Sequence, residues 1–444
     1  MKRNPTQWRE GMQQIFKKTL MALSLSLVIM PAAYATNGLA PTGLGQVHKG
    51  MGGAAVGSPQ NTTTMMTNPA AASFISDGYD IGGELFQPNR TVINSDWTDA
   101  VQPGLAGTKY TGDGISAFFI PEAAYKKDIG KYSVGVAAYG NGGMNTVYDK
   151  SPVFVTGAPA PNHIAPFNGG APSRTGVDLK QIFISPTVST KLNDKHSVGL
   201  SVNLVAQQFS ARGLQAFQGD PRVDKTNPDK LKAFQDPGKS TATGIGVALG
   251  WMGELNDRVT VGASYRAKTK MGKFKKYIGL FAGGSMDVPA ALTVGFSAKV
   301  TPKTTIAMDV QKIYYSDVKA IGNSSNSTKM FGDSDGAGFG WDDQVVYKLG
   351  IKSQVAPKVA LMAGYNHGDS PVTSEGTRFN ALTPAVVEDH LSLGFEYKLS
   401  KSSAIIGSYT HTFGNTVKGD SLKGQPFDLE MDQDAIGIGY SKTF

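Results

Sequence analysis

The chain has 444 residues, 40% of them hydrophobic, a net charge of +8 and no cysteine. A mean hydropathy of −0.19 is too low for a bundle of membrane helices, and the lack of cysteine excludes a disulfide-stapled scaffold. The 54 glycines and 16 tyrosines instead fit a membrane barrel, whose lipid face takes only every second residue of a strand.

Residues 1–35 read as a secretory signal. Lys17 and Lys18 precede an apolar stretch, Leu20 to Met30, which is too short to span a bilayer. Ala33-Tyr34-Ala35 is an A-x-A cleavage site, so the mature chain is expected to begin at Thr36. Met12 and Met21 are alternative starts. Removing Lys2, Arg3, Arg9, Lys17, Lys18 and Glu10, a net +4, leaves +4 on the remainder. No basic patch interleaved with aromatics follows, so no nucleic-acid partner is implied. Beyond residue 35 no run reaches the roughly 18 to 20 apolar residues of a spanning helix.

Residues 36–77 do not alternate. They are small, rich in Gly and Ala, and precede the first strand. From residue 78 to 444, period-two alternation recurs, the mark of strands with two different faces. Leu391, Leu393, Phe395, Tyr397 and Leu399 alternate with Ser392, Gly394, Glu396 and Lys398. Leu292, Val294, Phe296, Ala298 and Val300 do the same. Fourteen such segments start near 79, 114, 131, 179, 196, 243, 258, 289, 304, 344, 358, 390, 403 and 431. Every second connection is short and turn-like, such as Asn193-Asp194 or Pro302-Lys303. The others are long, at about 94–113, 141–177, 212–241, 271–288, 316–343, 367–389 and 414–430. Short periplasmic turns and long external loops are the asymmetry of an outer-membrane barrel; a soluble β-sandwich would not gather its long loops at one end. The expected fold is all-β, a 14-stranded antiparallel transmembrane barrel. Such a barrel is wider than its own side chains can fill, so 36–77 reads as an internal hatch.

Two long loops hold amphipathic segments. In 227–235, Asn227 can cap a helix and Pro228 fits its first turn, which puts Leu231 and Phe234 on one face. In 271–281, Phe274, Tyr277, Ile278 and Phe281 share a face. Apolar residues on external loops cost solubility unless they meet something greasy. They would line an entry groove for a hydrophobic ligand, or pack on each other. Phe444 ends the last strand, a terminal aromatic of the type read by barrel-insertion machinery.

Gly43-Leu44-Gly45, Gly50-Met51-Gly52-Gly53-Ala54-Ala55 and Asn68-Pro69-Ala70 resemble the hatch of FadL-type long-chain fatty acid transporters. Pro289-Ala290 before a strand, Asp369-Ser370-Pro371-Val372 and Tyr409-Thr410-His411 extend the resemblance into the C-terminal half. The resemblance implies a passive, monomeric transporter in the outer membrane, among lipid and lipopolysaccharide, with no cofactor or metal. It implies ligand capture between external loops, an inner pocket, and lateral release beside a kinked third strand, here Tyr132 to Tyr139 followed by Gly140-Asn141-Gly142-Gly143. It places basic ligand contacts near Arg212 and Lys319. Asn68, Pro69 and Ala70 read as hatch anchoring, since Pro69 holds Asn68 extended and the Asn amide can bond strand backbone. The alternatives are an aqueous porin, an aromatic or alkane channel, and an esterase built on Ser370 with Glu388, Asp389 and His390. The esterase is disfavoured because Ser370 begins a late external loop rather than a strand-to-helix turn. The six histidines show no metal-ligand spacing.

Overall fold

In the computed structural model, the described residues are 36–444 apart from 97–98, 100–102, 151, 156–163, 167–173, 421 and 423. The signal segment and its cleavage site lie outside them, as does much of the predicted 141–177 loop.

Fourteen long strands form one closed antiparallel ring. They are β1 (Gly78–Asn94), β2 (Phe118–Ile129), β3 (Tyr132–Asn145), β4 (Gly176–Lys191), β5 (His196–Arg212), β6 (Ser240–Glu254), β7 (Val259–Arg266), β8 (Ala291–Thr301), β9 (Thr304–Ile313), β10 (Gln344–Ala356), β11 (Val359–Gly368), β12 (Asp389–Ser400), β13 (Ser403–Val417) and β14 (Phe427–Thr443). Each pairs with its neighbours in the chain, and β14 closes the ring on β1 through seventeen residue pairs. Short strands Lys109–Thr111 and Lys270–Met271 append to β1 and β6. The long connections all leave from one end, at 95–117, 146–175, 213–239, 267–290, 314–343, 369–388 and 418–426. Strand starts fall within four residues of the sequence expectation. The largest offsets are β2, which starts at Phe118, and β14, which starts at Phe427. In both, turn-forming glycines or polar residues blur where pairing begins.

The two faces divide as the alternation requires. Leu391, Leu393, Phe395, Tyr397 and Leu399 are exposed on the outside, while His390 and Ser392 are buried inside. Phe444 packs on Tyr79 and Tyr125 at the short-turn end, with ring centroids 6.0 and 6.3 Å apart.

Residues 36–77 lie within the ring and bond to its inward-facing side chains. Asp309 of β9 accepts from the amides of Ala55 and Val56 at 2.8 and 2.9 Å. Glu122 of β2 accepts from Gly45 N at 3.0 Å and from Gln46 Nε2 at 2.9 Å. Lys49 pairs with Glu84 of β1 at 2.9 Å. These buried charges are held with partners, the only way a low-dielectric interior tolerates them.

Glycine pairs on adjacent strands make room for this segment. Gly199 of β5 sits opposite Gly250 of β6, and a Cβ on either would strike Asn68-Pro69-Ala70. Gly262, paired with Gly295 across β7 and β8, faces Val56 and Gly57 in the same way. Gly350 and Gly364, paired across β10 and β11, receive Met51 and Gly52. Much of the glycine content thus lets one backbone approach another closely.

Candidate functional site

Beneath the external loops lies a cavity of about 580 Å³. Seven of its fourteen lining residues are phenylalanine, and the rest are Leu, Val, Ala and one Gly. Phe209 comes from the end of β5; Phe217 and Phe234 come from 213–239, Phe281 from 267–290, Phe331 and Phe339 from 314–343, and Phe379 from 369–388. The rings meet edge-on or stacked: Phe209–Phe281 at 4.7 Å, Phe234–Phe331 at 5.8 Å and Phe217–Phe379 at 6.0 Å. Such pairs add roughly 0.5–1.5 kcal/mol each beyond burial. An arginine ties the roof together. Arg222 lies over Phe331 at 4.7 Å and Phe379 at 5.4 Å, and donates to Ser325 O, Ser327 O and Asp220.

The loop residues singled out in the sequence take several places around this cavity. Asn227 caps the helix Pro228–Leu231, accepting from Asp229 N and Lys230 N. The helix delivers Phe234 to the cavity wall, while Leu231 packs half-buried against the same cluster. Residues 271–281 do not form a continuous helix. Successive turns, Tyr277 N to Phe274 O and Leu280 N to Tyr277 O, keep a near-helical spacing instead. Phe281 therefore reaches the cavity, and Phe274 is buried behind it on Phe209. Tyr277 is a fastener: its hydroxyl donates to Gly238 O and accepts from Ala211 N, both at 2.8 Å. Ile278 is half-buried and outside the cluster. Arg212 and Lys319 are exposed and line neither cavity; their neighbours Ala211 and Ala320 are the buried ones.

A second cavity, of about 700 Å³, lies deeper, between segment 36–77 and the barrel wall. Leu44, Met65 and Met66 supply apolar lining, and Ser185, Ser201, Asn203 and Gln311 supply hydroxyls and amides. Two cations face it, Lys348 of β10 and Arg266 at the end of β7, and no carboxylate lines it. Asp309 stands opposite Lys348 across the β9–β10 pairing, and among the described residues Lys348 makes no hydrogen bond. Neither cation is singled out by the sequence, although Lys348 stands on the inward row of its strand with Gln344, Val346 and Gly350.

Below this cavity, Asn68 donates through Nδ2 to Val56 O at 2.8 Å and Trp251 O at 3.0 Å, and its Oδ1 accepts from Ala70 N. Pro69 opens the short helix Pro69–Ser73. Ala70 O accepts from Ser197 of β5 and Ser189 of β4. Beside the cavity the third strand is irregular. It runs on to Asn145, past the predicted end at Tyr139, and its pairing with β4 shifts register between Gly140 and Gly142. Its pairing with β2 stops at Glu122–Tyr139, so Phe118–Pro121 have no ladder partner on that side.

Ser370 is capped by Glu388 through its amide, at 3.0 Å. Asp389 faces out and holds His367 at 2.8 Å, whereas His390 faces in, so the three do not assemble with Ser370. Among the described residues no group of three His, Asp or Glu is placed to hold a metal.

Residues 22–444 match the outer membrane protein transport family described as OMPP1/FadL/TodX. A curated protein of Neisseria meningitidis serogroup B (strain ATCC BAA-335 / MC58), named for its outer-membrane location, is 25% identical over 243 residues. That match covers 46% of this chain, and the chain spans about half, 52%, of that relative's length. Among solved structures, the Pseudomonas putida toluene transporter TodX superposes with a TM-score of 0.65 at 17% identity, covering 91% of this chain and 99% of its own. The Ralstonia pickettii toluene transporter TbuX gives 0.62 at 18%, and a Pseudomonas aeruginosa FadL homologue 0.63 at 14%, with the same coverage of both chains. At these identities the superpositions speak for the fold; the family match covers nearly the whole sequence. The chain belongs to the outer membrane protein transport family OMPP1/FadL/TodX, and is an outer-membrane β-barrel.

Proposed function

We propose that this protein takes up long-chain fatty acids. The aromatic cavity captures the acyl chain, the deeper cavity receives the carboxylate, and release is lateral, through the unpaired stretch between β2 and β3. Residues 36–77 act as a hatch that keeps the lumen closed to small solutes, which argues against an aqueous porin. The observation that carries the reading is the deeper cavity, with Lys348 and Arg266 and no lining carboxylate. Lys348 stands opposite Asp309 across the β9–β10 pairing but makes no hydrogen bond among the described residues, and an anionic ligand supplies a charge-assisted one. Entry is driven by apolar burial, about 25 cal/mol per Å² covered.

A second reading is uptake of neutral monoaromatic hydrocarbons. It is favoured by the seven phenylalanines of the outer cavity, where no cation lines the wall, and by similarity in fold to two toluene transporters. Mass spectrometry of the lipid co-purifying with the protein, together with uptake of hexadecanoate and toluene, separates the two. In the first reading Lys348→Met lowers hexadecanoate uptake about tenfold, the loss of one hydrogen bond to a charged group, and leaves toluene unaffected. Equal uptake of hexadecanoate by wild type and Lys348→Met removes the fatty-acid reading.

A further inference from the structure

Arg266 reaches away from its own strand. Its Nη1 donates to Asn141 Oδ1 at 2.9 Å, linking β7 to β3 across the lumen. Asn141 is the extra residue of the β3 bulge: Gly140 pairs with Ile182 and Gly142 with Gln181, leaving Asn141 without a ladder partner. The Asn141 amide donates onward to Gln181 Oε1 at 3.3 Å. Arg266 also lies over Phe183 at 5.8 Å, and Phe183 stacks on Tyr139, the last residue of β3 paired with β2. The guanidinium therefore braces the irregular part of β3 from the inside, at the point where that strand has lost its neighbour. Arg266 and Asn141 both line the 700 Å³ cavity and an adjoining one of about 290 Å³. Arg266 Nε is buried without a hydrogen-bond partner among the described residues.

We propose that Arg266 is the specificity-determining residue of release, a brace on the β3 bulge that an anionic ligand displaces and a neutral one does not. The inference rests on the lateral-release reading above. The present bond joins a guanidinium to a neutral amide oxygen. A carboxylate arriving in the same cavity offers a bidentate alternative in which both partners are charged. Arg266 then turns from Asn141 to the ligand, and Asn141 keeps only its longer bond to Gln181. Gly140-Asn141-Gly142 lose their brace to β7 and have no β2 partner to replace it, while Arg90 still holds Asn145, so the seam between β2 and β3 widens around the bulge. An alcohol of equal chain length buries the same apolar area without competing for the guanidinium, and leaves the seam braced.

The test is hydrogen exchange of residues 140–145 in the full chain in lipid nanodiscs, read by mass spectrometry, with hexadecanoate and hexadecan-1-ol as probes. In wild type, hexadecanoate is expected to speed exchange there at least tenfold and the alcohol to leave it unchanged. Arg266→Gln and Asn141→Ala are expected to show fast exchange without ligand. Arg266→Gln should also bring the ratio of hexadecanoate to hexadecan-1-ol uptake down about tenfold, largely by raising alcohol uptake. Equal exchange with the two probes in wild type overturns the proposal, as does an uptake ratio unchanged in Arg266→Gln. Those results leave uptake itself standing. Absence of hexadecanoate uptake in wild type sinks the fatty-acid reading and the brace together. The wild-type comparison needs no variant to fold.

Discussion

Phe234 and Phe281 come from different loops and meet on the wall of the outer cavity. Replacing both with Asp puts two hydrated charges where an acyl chain or ring would lie. A buried aromatic contributes roughly 1.5–3 kcal/mol, so uptake of a long-chain ligand should fall tenfold or more at normal surface expression, measured with radiolabelled hexadecanoate. Asp343 sits at the foot of the same loop cluster. Partial burial acts to raise its carboxyl pKa, but hydrogen bonds from Ser316 Oγ and N, with Lys312 beside it, outweigh burial and hold it below the ordinary 3.8. A carboxyl depressed in the folded state stabilises above its unfolded value, and the stabilisation is lost as pH falls through the folded one. Trp341, two residues away, packs edge-on against Tyr315 at 5.2 Å. Its emission, in a chain with Trp8, Trp97 and Trp251 replaced by Phe, should shift to the red below pH 3.8 while the β-sheet circular-dichroism signal persists. Loss of both signals together would show that the loop cluster has no transition of its own.

Strand β12 shows most simply how the sequence assigns each face. Phe395 is 44% exposed and points to lipid, whereas Ser392 is fully buried and bonds Thr410 at 2.9 Å. Phe395→Lys should cost about 2–4 kcal/mol of folding stability near mid-membrane, read from urea unfolding in lipid vesicles, and Ser392→Ala clearly less. Equal costs would mean the register is wrong. Strand identity was legible because period-two alternation needs only local sequence. The β3 bulge was legible only in part: the glycines at 140, 142 and 143 marked an irregularity, but whether the strand ended or continued depended on whether β4 paired with it. The segment 271–281 shows the opposite limit. Its apolar spacing picks out Phe274, Tyr277 and Phe281 correctly but not Ile278, and turns fastened by Tyr277 to Ala211 and Gly238, rather than a helix, present them.

On the scale of the whole molecule, barrel and inner segment are held together by few charged contacts and several glycine notches. Deleting 36–77 should leave a folded barrel, because ring closure uses only strand-to-strand hydrogen bonds, and should turn a closed channel into one conducting small ions in planar bilayers. A deletion protein that stays closed would mean the segment is not the plug. The sequence by itself determined the fold class, the strand count and the end that bears long loops. These follow from alternation, turn residues and chain order, which are properties of neighbouring residues. Alternation along β10 already puts Lys348 on the inward row; only the tertiary structure decided which cations at strand ends face the interior. Ring closure brings Arg266 to Asn141, 125 residues apart in sequence, and sets Lys348 in the cavity while leaving Arg212 and Lys319 at the surface. A charge at a strand end looks the same in sequence whether it meets solvent or a lumen. The difference lies in what the opposite wall places in front of it, and no local pattern records that.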